Sequence, residues 1–163
     1  MDFEDSPELA EFRAEVRSFL DAHAELRRGD DRDWSRNGAS LDPDVAADYR
    51  RRCIEWQRLL YDNGWAGLTW PTAFGGRGLT GAHQIVFNQE LSRYDATSGF
   101  LTAAMALVGP TLMAHGTPEQ QQRYLAPLLS GAEAWCQLFS EPGAGSDLAA
   151  LATRAVLDGD HWS

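Results

Sequence analysis

Only two cysteines occur among the 163 residues, Cys53 and Cys136, and they lie far apart with no CxxC pair and no Cys/His spacing. That pattern argues against a disulfide framework and against a zinc site; no metal ligands are assigned, and two buried, reduced thiols are the expected state. Basic residues are also few, with 14 Lys+Arg against 24 Asp+Glu and a formal net charge of −10. Nucleic acid and anionic membrane surfaces both select a basic footprint, so neither is an expected partner. No apolar run approaches the ~20 residues of a membrane span. The opening Met1-Asp2-Phe3-Glu4-Asp5 lacks the basic and apolar regions of an export leader, which makes a cytoplasmic address the expectation. What is present, 44% hydrophobic and 23% charged residues, is ordinary for a folded globular chain and argues against intrinsic disorder.

The first half reads as helices. Ser6-Pro7 is a capping residue followed by proline at the first helical position, and Leu9, Phe12, Val16, Phe19 and Leu20 then share one face. Asp42-Pro43 repeats the signal, with Val45, Tyr49, Cys53, Trp56, Leu59 and Leu60 as the apolar stripe and Asn63-Gly64 as the stop. The charged stretch between them, 27–41, reads as an exposed loop; Asp30, Asp31 and Asp33 alternate there with Arg27, Arg28 and Arg32 as a solvated charge run. A third helix is expected over about 81–94. A fourth, over 100–107, is apolar nearly all round and therefore expected to be buried by neighbours. Gly109-Pro110 is expected to interrupt that run, and a short helical turn leads to Gly116. Thr117-Pro118-Glu119-Gln120 carries the capping signature of a further helix ending near Ser130-Gly131.

From Trp135 to Phe139 the texture changes to the alternation of a half-buried strand. It breaks into Ser140-Glu141-Pro142-Gly143-Ala144-Gly145-Ser146-Asp147, where proline ends the ladder and the glycines permit positive φ and close approach of a ligand to the main chain. Taken alone, the loop also reads as a tight β-turn with Asp147 capping a short helix, and composition favours that turn. Residues 148–151 suit one helical turn, 153–157 alternate again, Asp158-Gly159-Asp160 is a turn signal and His161 starts another strand. Other candidates carry less. His115 reads as a helix C-terminal cation or core histidine, Trp65, Trp70 and Phe74 as loop-packing aromatics, and Gly75-Gly76-Arg77-Gly78 lacks the strand, helix and Lys-Ser/Thr of a phosphate loop.

The run Ser140-Glu141-Pro142-Gly143-Ala144-Gly145-Ser146-Asp147 after a short apolar segment resembles the flavin-binding segment of the acyl-CoA dehydrogenases. Gly64-Trp65-Ala66-Gly67-Leu68-Thr69-Trp70-Pro71 with Phe74-Gly75-Gly76-Arg77-Gly78, Gly109-Pro110-Thr111-Leu112, His115 to Gln120 and Tyr124-Leu125-Ala126-Pro127-Leu128 follow in the same order as in that family. The resemblance covers most of the chain. It implies a mainly α fold, an N-terminal helical bundle over 1–133, followed over 134–163 by the first strands of an incomplete β-barrel domain.

The resemblance further implies an FAD-dependent α,β-dehydrogenation of an acyl-CoA thioester, of fatty-acyl or steroid side-chain type, with an electron-transfer flavoprotein as acceptor and like subunits assembled as a homo- or hetero-oligomer. Mapped onto this sequence, the flavin segment falls on Gln137, Leu138, Phe139 and Ser140, with Ser146 contacting the CoA portion of the substrate or the flavin. Ser140 keeps the hydroxyl of the threonine common in the family, and Gln137 stands where some members carry an aromatic. The catalytic base is expected beyond Ser163, and Glu141, beside Pro142, is expected to serve structure rather than proton transfer. The alternative expectation is a non-catalytic helical scaffold or subunit-interface module of a hetero-oligomeric dehydrogenase.

Overall fold

A computed structural model describes residues 5–27 and 42–162. The chain is mainly α: α1 (Pro7–His23), α2 (Pro43–Asp62), α3 (Gly81–Leu91), a short α4 (Leu101–Ala103), α5 (Gly109–His115) and α6 (Pro118–Ser130), before one hairpin of β1 (Leu157–Asp158) and β2 (His161–Trp162). Three starts use the expected caps. Ser6 accepts from Leu9 N, Asp42 from the amides of Asp44 and Val45, and Thr117 and Gln120 form a reciprocal capping box. The charge run at 28–33 lies outside the described residues; Arg27, at its edge, donates its backbone N–H to Arg93 O at 2.9 Å.

Aromatic packing holds the bundle. Trp65, from the loop after α2, stacks on Phe19 at 5.0 Å and Phe87 at 5.8 Å and meets Phe12 at 5.9 Å, joining α1 and α3. Arg77 lays its guanidinium 4.8 Å over the Trp65 ring. Trp65 and Trp70 are buried and Phe74 packs against the same core, so these aromatics fix the loop to the helices. Gly76 makes this possible, because a Cβ there would run into the Trp70 and Gly67 carbonyl oxygens. α1 packs on α3, and α2 and α5 pack on α6. Buried Gln57 of α2 donates to Leu129 O at 2.6 Å and accepts from Ser98 Oγ at 2.6 Å.

The structure corrects four expectations about elements and burial. Gly109-Pro110 does not interrupt the fourth helical run: a five-residue π-helical turn, Ala104–Val108, leads directly into α5. The wider turn accommodates a proline ring that has no N–H to donate, and Thr111 Oγ1 bonds Leu107 O at 2.8 Å. Nor is that run buried all round. Leu101 and Ala104 are buried, but Thr102, Ala103, Ala106 and Leu107 are exposed, because the described residues cover only one side. α3 stops at Leu91, where Arg93 N and Tyr94 N turn back onto Glu90 O and Leu91 O. Cys53 is buried as expected, but Cys136 is exposed.

The expected strand at 135–139 is also absent. Those residues join no ladder: the only one among the described residues is antiparallel β1–β2, pairing Leu157 with Trp162 and Asp158 with His161. Alternation marks two faces of an extended segment without supplying a neighbour to pair with. Of the second alternating stretch, only Leu157 enters the hairpin. No helix among the described residues is long and apolar enough to cross a membrane.

Candidate functional site

The candidate site is the path by which the chain leaves α6. Gly131, in the left-handed region at φ 74°, caps the helix, and Glu133 N returns to Pro127 O at 3.2 Å. Trp135 then packs edge-on against Tyr124 at 5.0 Å. After this contact the chain is free of the bundle. Backbone groups of residues 136–140 make no hydrogen bond among the described residues, Leu138 is 89% exposed and Phe139 70% exposed. The side chains of Gln137 and Ser140 have no hydrogen-bond partner among the described residues either.

A tight turn follows. Glu141 N donates to Ala144 O at 2.8 Å and Ala144 N to Glu141 O at 3.1 Å, with Pro142 and Gly143 between them and Ala144 buried. This antiparallel bridge directs Ser140 and Gly145 from the same end of the turn, with exposed Ser146 next. Neither Gly143 nor Gly145 adopts positive φ, contrary to the expected use of glycine here. Their lack of a side chain leaves open surface instead: a Cβ on either would meet nothing within 4 Å.

Glu141 directly follows Ser140, and its carboxylate is engaged. It accepts from Ala152 N at 2.9 Å and Thr153 N at 2.8 Å, and closely from the Thr153 hydroxyl. The Thr153 hydroxyl and these two amides hold its carboxyl below the ordinary glutamate range. Glu141 therefore ties the turn to the stretch after the 3-10 turn Leu148–Ala150. Asp147 precedes that turn without a side-chain cap.

Gln137, Leu138, Phe139 and Ser140 thus stand in succession on one exposed segment, and Ser146 follows across the turn. Chemically, the segment offers unpaired amide N–H and C=O groups, one hydroxyl at each side of the turn, and two apolar side chains, a set suited to the hydrogen-bonding edge and flat face of a heterocycle. His115, in the last turn of α5, is exposed and far from this chemistry in sequence. No group of three or more His, Cys, Asp or Glu able to hold a metal occurs among the described residues. The contact of Tyr124 with Trp135 was not anticipated from sequence; the signal available was the helix stop at Gly131 followed four residues later by a large aromatic.

Comparison with known proteins gives this geometry a setting. The family model described as acyl-CoA dehydrogenase, N-terminal domain, matches residues 6–132. Over 155 residues the chain is 43% identical to acyl-CoA dehydrogenase IpdE1 of Mycobacterium tuberculosis, covering 95% of this chain and 39% of that protein. Among solved structures, the ChsE4-ChsE5 complex from Mycobacterium tuberculosis matches with a TM-score of 0.70 at 31% identity, over 99% of this chain and 38% of that one. The Tcur3481-Tcur3483 steroid ACAD matches with a TM-score of 0.68 at 35% identity, over 99% and 39% of the respective chains. The chain therefore spans about two fifths of the length of these relatives.

Proposed function

The chain belongs to the acyl-CoA dehydrogenase family, and from that premise we propose that it supplies the helical domain and one wall of the cofactor and substrate site of an FAD-dependent enzyme that dehydrogenates an acyl-CoA thioester. The observation that carries the reading is the open segment Gln137–Ser140, whose main-chain groups and Ser140 hydroxyl lack partners of their own among the described residues. These residues fit a flavin. Amide groups of 137–140 and the Ser140 hydroxyl would hydrogen-bond the pyrimidine side of the isoalloxazine, Leu138 and Phe139 would exclude water from its face, and Ser146 would contact the CoA portion of the substrate or the flavin. FAD, when bound, supplies the acceptor for hydride leaving the β-carbon.

Proton removal from the α-carbon needs a carboxylate base, and we assign none to this chain. Glu141 is occupied by the Ala152 and Thr153 amides and the Thr153 hydroxyl, which favour its ionised form but leave it holding the loop. The base is assigned to the part of the relatives' length that this chain does not span, and the boundary between the helical domain and the start of the β-domain to 133/134. The substrate class we favour is a fatty-acyl or steroid side-chain CoA thioester. The name of the Tcur3481-Tcur3483 relative supports the steroid arm. An electron-transfer flavoprotein is the proposed acceptor.

One observation favours a second reading, a non-catalytic scaffold or subunit-interface module: Leu107 is 49% exposed on a helical face otherwise made of small residues. Flavin spectroscopy separates the two. Residues 1–163 and the protein made from its intact reading frame are each prepared with FAD and exposed to acyl-CoA. Bound flavin bleached by acyl-CoA in the second preparation alone is the expected result. A bleachable flavin on residues 1–163 would overturn the assignment of the base elsewhere, and no flavin in either would favour the scaffold.

A further inference from the structure

We propose that Tyr124 is a positioning residue for the candidate flavin segment: its ring, met by Trp135 and flanked by the Arg123–Glu133 ion pair, sets the direction in which Gln137–Ser140 leave the helical bundle. This rests on the flavin reading above. The argument begins at the end of α6, where the reversal is pinned. A Cβ on Gly131 would lie 3.0 Å from Gln57 Cγ and 3.1 Å from Leu101 Cδ1, so the left-handed cap sits tightly against α2 and α4.

Gly131 stands seven positions past Tyr124, about 10 Å along the helix axis. Residues 131–133 form a turn and bend, with Glu133 N returned to Pro127 O at 3.2 Å, so the chain doubles back along α6. Trp135 therefore arrives alongside Tyr124, and the two rings meet edge-to-face at 5.0 Å and 80°. Arg123 lays its guanidinium 4.9 Å from the centre of the same Tyr124 ring and pairs with Glu133 at 2.8 Å. Two successive residues of α6 thus grip two residues of the returning chain.

Beyond Trp135 the described residues provide no hold until the Glu141–Ala144 turn. Gln137 stands two residues past the last anchor. A segment with no hydrogen bonds of its own takes its direction from its ends, and a binding segment already directed loses less freedom when the ligand arrives. Tyr124 acts here through its ring alone, since its hydroxyl has no hydrogen-bond partner among the described residues.

The test uses the protein made from its intact reading frame and compares Tyr124→Leu, Tyr124→Phe and Ser140→Ala by FAD dissociation constant, flavin absorption spectrum, kcat and KM. Tyr124→Leu is expected to weaken FAD binding about two- to tenfold and to lower kcat with KM for acyl-CoA unchanged, while Tyr124→Phe stays at the parent values. If Tyr124→Leu reduces the helical signal at 222 nm, Arg123→Gln, which keeps both rings and removes the grip on Glu133, is read in its place with the same expected direction. Parent FAD affinity and kcat in the positioning variant, alongside a weakened Ser140→Ala, overturn the proposal and leave the flavin reading standing. If Ser140→Ala is silent as well, the positioning proposal still falls and the Ser140 contact falls with it, and FAD binding by the parent protein then decides the flavin reading.

Discussion

Glu90 of α3, its side chain only 4% exposed, accepts a hydrogen bond from Arg13 of α1 across 77 positions of sequence, Arg13 Nη1 to Glu90 Oε1 at 2.8 Å. Arg17 adds a contact at 2.7 Å to the other carboxylate oxygen, Arg93 another at 3.1 Å, and Asp5 steadies Arg13 from outside at 2.5 Å. A buried carboxylate is tolerable when guanidinium groups satisfy its lone pairs, and here they come from α1 and from the turn after α3. The ion cluster therefore joins the same two helices that Trp65 joins through Phe12, Phe19 and Phe87.

That cluster makes stability depend on pH in a defined window. Hydrogen bonds from Arg17 and then Arg13 and Arg93, working against burial, lower the Glu90 carboxyl from 4.5 to about 2. The folded state thus binds the proton less readily than the unfolded chain, so the contribution is complete above about 4.5 and is lost as pH falls towards about 2. Its size is roughly 3 kcal/mol. Urea unfolding of the parent chain and Glu90→Gln between pH 6 and about 2 should give a steeper acid loss in the parent. Equal slopes would show that Glu90 titrates alike in both states.

Two glycines in similar-looking loops should respond unequally to alanine. At Gly76 a Cβ would collide with the Trp70 and Gly67 carbonyl oxygens, which are backbone atoms and cannot swing aside. Gly76→Ala should cost about 2–3 kcal/mol and loosen the Trp65–Trp70 loop, seen as a lower melting temperature and a red-shifted tryptophan emission. At Gly143 a Cβ meets nothing within 4 Å, so Gly143→Ala should change stability by no more than about 1 kcal/mol. Equal effects would mean that the two loops are not packed as described.

The contrast between these positions shows what the sequence could carry. The inward faces of α1 and α2 were legible because 3.6-residue periodicity and a Ser-Pro or Asp-Pro start act locally, and Phe12, Val16, Cys53 and Leu60 are buried accordingly. Glu90 was not legible: an acid among polar neighbours reads as solvent-facing until Arg13 and Arg17 arrive from another helix. The motif from Ser140 to Asp147 stood out by its order of residues. Its backbone did not, because neither the pairing partner of 135–139 nor the actual φ of Gly143 and Gly145 is encoded by alternation or glycine content. Pro110 misled for a related reason, since its missing donor is absorbed by a π turn that local rules do not anticipate.

Gln57 offers a test of the core that is independent of charge. Its amide donates to Leu129 O and accepts from Ser98 Oγ, both at 2.6 Å, linking α2 to the end of α6 and to the loop before α4. Gln57→Leu keeps nearly the same volume but leaves a helix-end carbonyl and a hydroxyl without their partner. The expected loss is about 1–3 kcal/mol, measured as a lower urea midpoint with unchanged helical content. A neutral result would mean that water replaces the amide at both groups.

Ser140→Ala bears directly on the proposed site. The side chain is exposed and has no hydrogen-bond partner among the described residues, so removing its hydroxyl disturbs no fold contact and stability should stay within about 0.5 kcal/mol of the parent. A neutral hydrogen bond to bound flavin contributes about 0.5–1.5 kcal/mol, which corresponds to FAD affinity roughly two- to tenfold weaker in the variant. Isothermal titration with FAD beside thermal unfolding of the apoprotein separates the two quantities. Weaker binding at constant stability places the hydroxyl on the cofactor; unchanged FAD affinity and turnover would remove Ser140 from the site and leave Gln137–Phe139 to bind through their main chain alone.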